Sequence, residues 1–172
     1  MKQVTFIGLG AMGAPMAENI IKAGFRLKVY DLSKERCENL ISHGGMPADD
    51  LRDAGSGADI VFTMLPATQD VNSVLEGKDG ILHHMMSGGI VVDMSTVSPS
   101  GTDSIAEACK KYGVRFMDAP VGRQVVHAIK GESLFMVGCD DEKDFERVKP
   151  LFDAMGTSII RCGKVGTGIR AK

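Results

Sequence analysis

The sequence contains no tryptophan and only 5% aromatic residues, so its interior has to be filled by aliphatic side chains and by its 11 methionines. It also lacks a basic excess. Twenty Lys and Arg oppose 22 Asp and Glu, for a formal net charge of −2, and a chain that tracks a phosphate backbone needs a cationic stripe; nucleic acid is not an expected partner. No apolar run approaches the ~20 residues that cross a bilayer, so a membrane is not expected either. Cys37, Cys109, Cys139 and Cys162 are scattered, with no CxxC pair. That spacing argues against a zinc or disulfide framework and for reduced thiols in a cytoplasmic protein. His83 and His84 have no carboxylate or cysteine at metal spacing and read as solvated loop residues. Met1 to Ile7 already reads as a strand, which leaves no signal peptide.

What is present is an ordinary globular mixture, 44% hydrophobic and 24% charged over 172 residues, long enough for one domain that buries about 70% of its unfolded surface. The informative excess is glycine, 21 residues clustered near the start and the end, where phosphate-binding turns could sit. Short apolar strands alternate with helical segments. Val4 to Ile7, Leu27 to Tyr30, Asp59 to Leu65, Ile90 to Met94, Arg115 to Asp118, Leu134 to Val137 and Ser158 to Ile160 read as strands. Helices are expected after Gly13, after the capping Ser33, from about Pro99 to Tyr112, and from Asp140 to Met155. Near-continuous apolar strands must be covered on both faces, so the expected fold is α/β, Rossmann-like and doubly wound around a mostly parallel sheet.

Gly8, Gly10 and Gly13 follow the first strand and open the first helix, the context a G-x-G-x-x-G motif requires. Gly8 permits the tight turn, Gly10 lets a pyrophosphate approach the backbone, and Gly13 lets the helix pack on the sheet. Asp31 lies 21 residues after Gly10, at the end of the second strand, where a carboxylate accepts hydrogen bonds from the adenine-ribose hydroxyls. A 2′-phosphate would be repelled there, so NAD is expected rather than NADP. Lys34 and Arg36 could soften that choice, or simply form an exposed helix face.

The run Gly8-Leu9-Gly10-Ala11-Met12-Gly13-Ala14-Pro15-Met16-Ala17 resembles the opening of the β-hydroxyacid dehydrogenases, the family related to 3-hydroxyisobutyrate dehydrogenase and tartronate semialdehyde reductase. The resemblance continues through Met64-Leu65-Pro66, Asp93-Met94-Ser95-Thr96, Asp118-Ala119-Pro120-Val121 and Gly163-Lys164-Val165-Gly166-Thr167-Gly168. It implies an NAD-dependent oxidoreductase in which Ala11, Met12, Asp31, Leu65, Pro66 and Thr96 contact the cofactor, Leu65 through its backbone and Thr96 near the nicotinamide. It also implies that Lys172 is the catalytic lysine. It further implies that residues 1–162 form the cofactor domain and 163–172 begin the helix leading to a C-terminal helical domain absent from this chain. Full-length members are expected to be homo-oligomers. The substrate loop departs from the family's usual serine and glycines: it reads Gly122-Arg123-Gln124. This is similar to the 3-sulfolactaldehyde reductase branch, and a guanidinium fork suits a sulfonate. The expected substrate is therefore a small anionic aldehyde, 3-sulfolactaldehyde first, reduced to 2,3-dihydroxypropane-1-sulfonate. A carboxylate-bearing semialdehyde or hydroxy acid is the alternative in the same class, and a non-catalytic dinucleotide-binding module the alternative in another. Asp118 reads as shaping the substrate loop rather than acting as a base, and His127 as a helix-surface residue.

Overall fold

Four consecutive residues buried on both sides, Val4–Ile7, form strand β1 at the middle of a sheet covered by helices on each face. The computed structural model describes residues 3–172; Met1 and Lys2, which the sequence reading assigned to the opening strand, lie outside them. Helix α1 (Gly13–Lys22) turns Met16, Ala17 and Ile20 onto the sheet, then stops where Gly24 adopts a left-handed φ of 95°. Strand β2 (Leu27–Tyr30) and helix α2 (Lys34–Ser42) follow, the latter capped by Ser33, whose hydroxyl accepts from the Arg36 amide.

The chain then makes a two-residue strand, β3 (Met46–Pro47), and a short helix, α3 (Leu51–Gly55), before strand β4 (Ile60–Thr63). Met64 and Leu65, expected to extend that strand, leave the sheet instead and lead into helix α4 (Thr68–Glu76). His83, read as a loop residue, belongs to a single 3₁₀ turn (Ile81–His83), with its ring edge against Tyr112 at 5.2 Å. Strand β5 (Ile90–Asp93), helix α5 (Pro99–Lys111) and strand β6 (Arg115–Asp118) complete the parallel part. The remainder comprises β7 (Val121–Gly122), α6 (Val125–Ile129), β8 (Ser133–Gly138), α7 (Glu142–Met155), β9 (Gly156–Gly163) and α8 (Thr167–Ala171).

The sheet order is β3-β2-β1-β4-β5-β6-β8-β7, with β9 paired to β8. Pairing is parallel from β3 to β6, antiparallel from β6 to β8 and from β7 to β8, and parallel again between β8 and β9. The order reverses at β1, which lies between β2 and β4. A doubly wound sheet opens a crevice at the carboxyl ends of the strands at such a reversal. The scarce aromatics are concentrated in one of the two helix–sheet layers. Phe6 stacks on Phe62 at 5.8 Å, and Phe152 packs against Phe62 and Phe135 at 6.3 and 4.8 Å. The opposite layer is mainly aliphatic, built on Val61, Val91, Leu75, Ile81 and Ile105, with Phe116 and Tyr30 as its aromatic members. No helix among the described residues is long and apolar enough to cross a membrane.

Candidate functional site

The carboxyl end of β1 turns sharply at Gly8, whose φ is 101° and whose amide donates to the Tyr30 carbonyl at 3.0 Å. A side chain there would meet the Met64 carbonyl; one at Gly13 would meet the Gly8 carbonyl and the Phe6 ring. Gly10 differs, because a β-carbon there would have no atom within 4 Å, so its backbone faces open space. No side chain caps α1; the Ala14 amide donates to the Gly10 carbonyl at 3.0 Å and Pro15 has no N–H, so the donors left to face an anion are the amides of the turn and of Gly13. The turn therefore fits a pyrophosphate: two glycines give the loop its shape, the third gives access, and Ala11 and Met12 lie between them.

Asp31 ties this turn to β2. Its Oδ2 accepts from the Leu9 amide at 2.7 Å and its Oδ1 from the Ser33 amide at 2.8 Å, while the Arg36 guanidinium stands 3.9 Å away. Beside it opens a cavity of about 390 Å³ lined by Gly8, Asp31, Leu32, Arg36, Leu65 and Pro66, among others. Leu32 is 91% exposed at its edge, an apolar side chain left without cover on one wall. Asp70, Ser73 and Val74 of α4 complete the lining; the sequence reading missed them because it did not recognise α4. A carboxylate placed for ribose hydroxyls and an apolar slot suit the adenosine half of a dinucleotide.

A second network fixes the adjacent loops. The Thr63 hydroxyl and the Ser95 amide donate to Asp93 Oδ1 at 2.9 and 3.1 Å, and the Leu65 amide donates to Ser95 Oγ at 2.8 Å. The Leu65 N–H is thus engaged, and its carbonyl is the backbone group left for a ligand. Burial pushes the Asp93 carboxyl up to about 6, with the neighbouring Asp118 charge adding to the rise.

Thr96 follows directly, and Lys172 reaches it from the far end of the chain. Lys172 Nζ donates to Thr96 Oγ1 and to the Val121 carbonyl, both at 2.8 Å, and burial lowers its pKa below the usual lysine range. Residues 76 positions apart are brought together because α8 lies over the ends of β6 and β8. The glycines of the final segment do not form a phosphate-binding turn. Gly166 donates its amide to Asp118 Oδ1, and Gly168 packs where a β-carbon would meet Asp118 and the Met136 carbonyl. Burial pushes the Asp118 carboxyl up, opposed by the amides of Gly166 and Ile169.

The substrate loop is arranged differently from the sequence expectation. Arg123 has a left-handed φ of 74°, and its fork is turned onto the β8–β9 edge. There it donates to the Glu132 carbonyl at 2.6 Å, Thr157 Oγ1 at 3.0 Å and Ser158 Oγ at 3.1 Å. The expected free fork is therefore engaged within the protein, because three acceptors lie within reach of the loop. Gln124 caps α6, with its amide donating to His127 Nδ1 at 3.2 Å, and Gly122 packs against Leu134. The loop residue that touches Lys172 is Val121, through its carbonyl.

Residues 3–163 match the family described as the NAD binding domain of 6-phosphogluconate dehydrogenase. Among curated proteins, the chain is 44% identical over all 172 residues to an NAD-dependent L-serine dehydrogenase of Pseudomonas aeruginosa. It is 38% identical over the same length to the 3-sulfolactaldehyde reductase of Escherichia coli. In both cases it spans 57% of the relative. Among solved structures, 3-hydroxyisobutyrate dehydrogenase of Mycobacterium tuberculosis with L-serine superposes with a TM-score of 0.93 at 32% identity, covering 99% of this chain and 57% of that one.

Proposed function

The chain belongs to the β-hydroxyacid dehydrogenase family, with NAD as its cofactor, and on that premise we propose that it contributes the cofactor half of an oxidoreductase acting on small anionic aldehydes or hydroxy acids. The observation that carries the reading is Lys172 Nζ held 2.8 Å from the Thr96 hydroxyl, on the same sheet edge as the glycine turn fixed by Asp31. Gly8, Gly10, Ala11, Met12 and Gly13 would hold the pyrophosphate, Asp31 the ribose, Leu65 and Pro66 the cavity wall, and Thr96 the nicotinamide end. Bound there, the nicotinamide supplies or accepts the hydride.

Lys172 supplies the proton. Two of its three N–H groups are given to Thr96 and Val121, which leaves one for a substrate oxygen. An oxygen that gains charge during reduction is stabilised by the ammonium and then protonated by it. In the reverse direction the amine accepts the proton, and burial brings its pKa closer to the working pH. Residues 1–162 serve in this reading as the cofactor domain and 163–172 as the start of the helix toward a C-terminal helical domain, which completes the substrate site; the full-length protein is a homo-oligomer in the same reading. Four free cysteines fit a reducing compartment such as the cytoplasm.

Two substrates are in contention. The Gly122-Arg123-Gln124 loop and the reductase relative support 3-sulfolactaldehyde, for which Arg123 would exchange its present partners for a sulfonate. The engaged fork and the serine dehydrogenase relative support a carboxylate substrate such as L-serine. A parent-length enzyme assayed with NADH and 3-sulfolactaldehyde, and with NAD and L-serine or 3-hydroxyisobutyrate, separates them by kcat/KM. Lys172→Ala should lower kcat for the true substrate by about 10²–10⁴ while NAD binding persists. Full turnover in that variant would reject the assignment.

A further inference from the structure

We infer that Asp118 is the residue that aims Lys172: its buried carboxylate clamps the first turn of α8 and thereby fixes the lysine at Thr96 and Val121. The inference rests on the role proposed for Lys172 and assigns a positioning function to a second residue. Asp118 ends β6 and is 2% exposed. Its Oδ1 accepts from the Gly166 amide at 2.7 Å and its Oδ2 from the Ile169 amide at 2.9 Å. Both oxygens face the protein's own backbone, so this carboxylate has no proton to exchange with a substrate.

The surrounding glycines are shaped to it. A β-carbon at Gly138 would meet Asp118 Oδ1, one at Gly168 would meet Asp118 and the Met136 carbonyl, and Gly166 adopts a left-handed φ of 92° as it presents its amide. The G-x-x-G-x-G spacing before Lys172 thus describes a seat for an internal anion. Helix α8 has five residues, far below the length at which a helix holds itself in water, so its position must come from tertiary anchors. Hydrogen bonds to an ionised acceptor are the strong kind, and Asp118 supplies two of them at the turn preceding the lysine. The Lys172 amide in turn donates to the Gly168 carbonyl at 3.2 Å, linking the clamp to the lysine backbone. Asp93 is the carboxylate that faces Asp118 across the β5–β6 pairing.

The test uses the chain itself and needs no turnover. The rate of acylation of Lys172 by a water-soluble active ester is followed against pH by mass spectrometry, beside an N-acetyl-lysine amide standard. In the wild type the midpoint should lie below the standard. In Asp118→Asn, which leaves one of the two amides facing an NH₂ group, the midpoint should rise to the standard and the plateau rate should increase several-fold. Affinity for NAD should stay within twofold in that variant, because the Asp31 turn lies four strands away in the sheet order. Thr96→Val should move the midpoint while leaving the Gly166 and Ile169 amides protected from hydrogen exchange. An unchanged Lys172 profile in a folded, NAD-binding Asp118→Asn protein overturns the inference and leaves the dehydrogenase reading standing. Failure of the wild type to bind NAD does the opposite. If Asp118→Asn does not fold, the wild type decides: exchange of the Gly166 and Ile169 amides at loop rates overturns the clamp, and strong protection supports it.

Discussion

Replacing Asp31 by asparagine separates two jobs of one carboxylate, the turn it fixes and the ribose contact proposed for it. Its oxygens accept from Leu9 and Ser33 while the side chain is only 12% exposed, so solvent screens these bonds weakly. The asparagine oxygen can keep one of the two amides, but its NH₂ group faces the other donor. Leaving that amide unpaired costs about 1–3 kcal/mol. Near 2 kcal/mol, a domain of this size should lose about 4–8 °C in Tm. The proposed ribose contact loses its charge as well. A hydrogen bond to a charged acceptor contributes about 1.5–3 kcal/mol, so NAD should bind roughly tenfold to a hundredfold more weakly. NADP should lose nothing and should gain, since repulsion of its 2′-phosphate disappears and Arg36, now 3.9 Å from a neutral group, is free to meet it. Calorimetry with both cofactors gives the ratio of Kd values, which should shrink by at least about tenfold. Adding Arg36→Ala should reverse the gain for NADP. A variant that keeps the wild-type ratio would refute the assignment of Asp31 to the ribose, whatever happens to its Tm.

Other perturbations test the remaining parts. Burial holds Asp93 at about 6 in the folded protein against 3.8 unfolded, so the native state binds the proton more tightly. Its contribution to stability is present below 3.8 and is lost as pH rises through 6. Denaturant unfolding should therefore show wild type gaining on the order of 1 kcal/mol on Asp93→Asn between pH 7 and pH 5, and a pH-independent difference would contradict that assignment. Gly13→Ala drives a β-carbon into the Gly8 carbonyl, so NAD binding and Tm should fall together, whereas Gly10→Ala should spare Tm and weaken binding only. Arg123→Ala removes three partly exposed hydrogen bonds and should cost about 1 kcal/mol in thermal unfolding. If Arg123 also selects a sulfonate, the same change should lower kcat/KM for 3-sulfolactaldehyde in the parent-length enzyme by at least about tenfold; equal loss with a carboxylate aldehyde would deny it that selectivity.

The sequence was most informative where physics is local. Val4–Ile7 is buried along its length, as a central strand must be, and Leu27–Tyr30, one strand from the edge, alternates buried and half-buried residues; both have the bounds read from the sequence. Asp31 could be placed beside the glycine turn because its distance from Gly10 is set by one strand–helix–strand unit, and its carboxylate does meet the Leu9 amide there. Helix α4 was not, as only Val71 and Leu75 of its nine residues are buried and its periodicity is faint. Helix α6 is a five-residue apolar run that could as well be a strand, and no pattern in Leu134 to Val137 shows that β8 runs against β6. Arg123 looked free because its partners, Thr157 and Ser158, lie 34 and 35 residues further on. Asp118 gave no sign of its partners for the same reason: they are 48 and 51 residues away.

Three aspartates stand at strand ends on the edge where an anionic cofactor and an anionic substrate are expected to meet. Three bare carboxylates there would repel both. Asp93 and Asp118, each 2% exposed, are turned inward and covered by donors: Thr63 and Ser95 for one, Gly166 and Ile169 for the other. Burial raises the pKa of both, which reduces their charge further as pH falls. Each holds a loop, the Thr96 loop in one case and the Lys172 segment in the other. Asp31 alone of the three stays partly open, with lone pairs left after Leu9 and Ser33 have taken their share. Its charge is the one a ligand can feel, attractive to ribose hydroxyls and repulsive to a 2′-phosphate. The same residue type at three strand ends, Asp31 one residue past its strand and the other two closing theirs, therefore gives two anchors and one proposed selector, and exposure decides which is which. Removing either anchor should disturb geometry without changing cofactor choice, whereas removing the selector should change the choice itself.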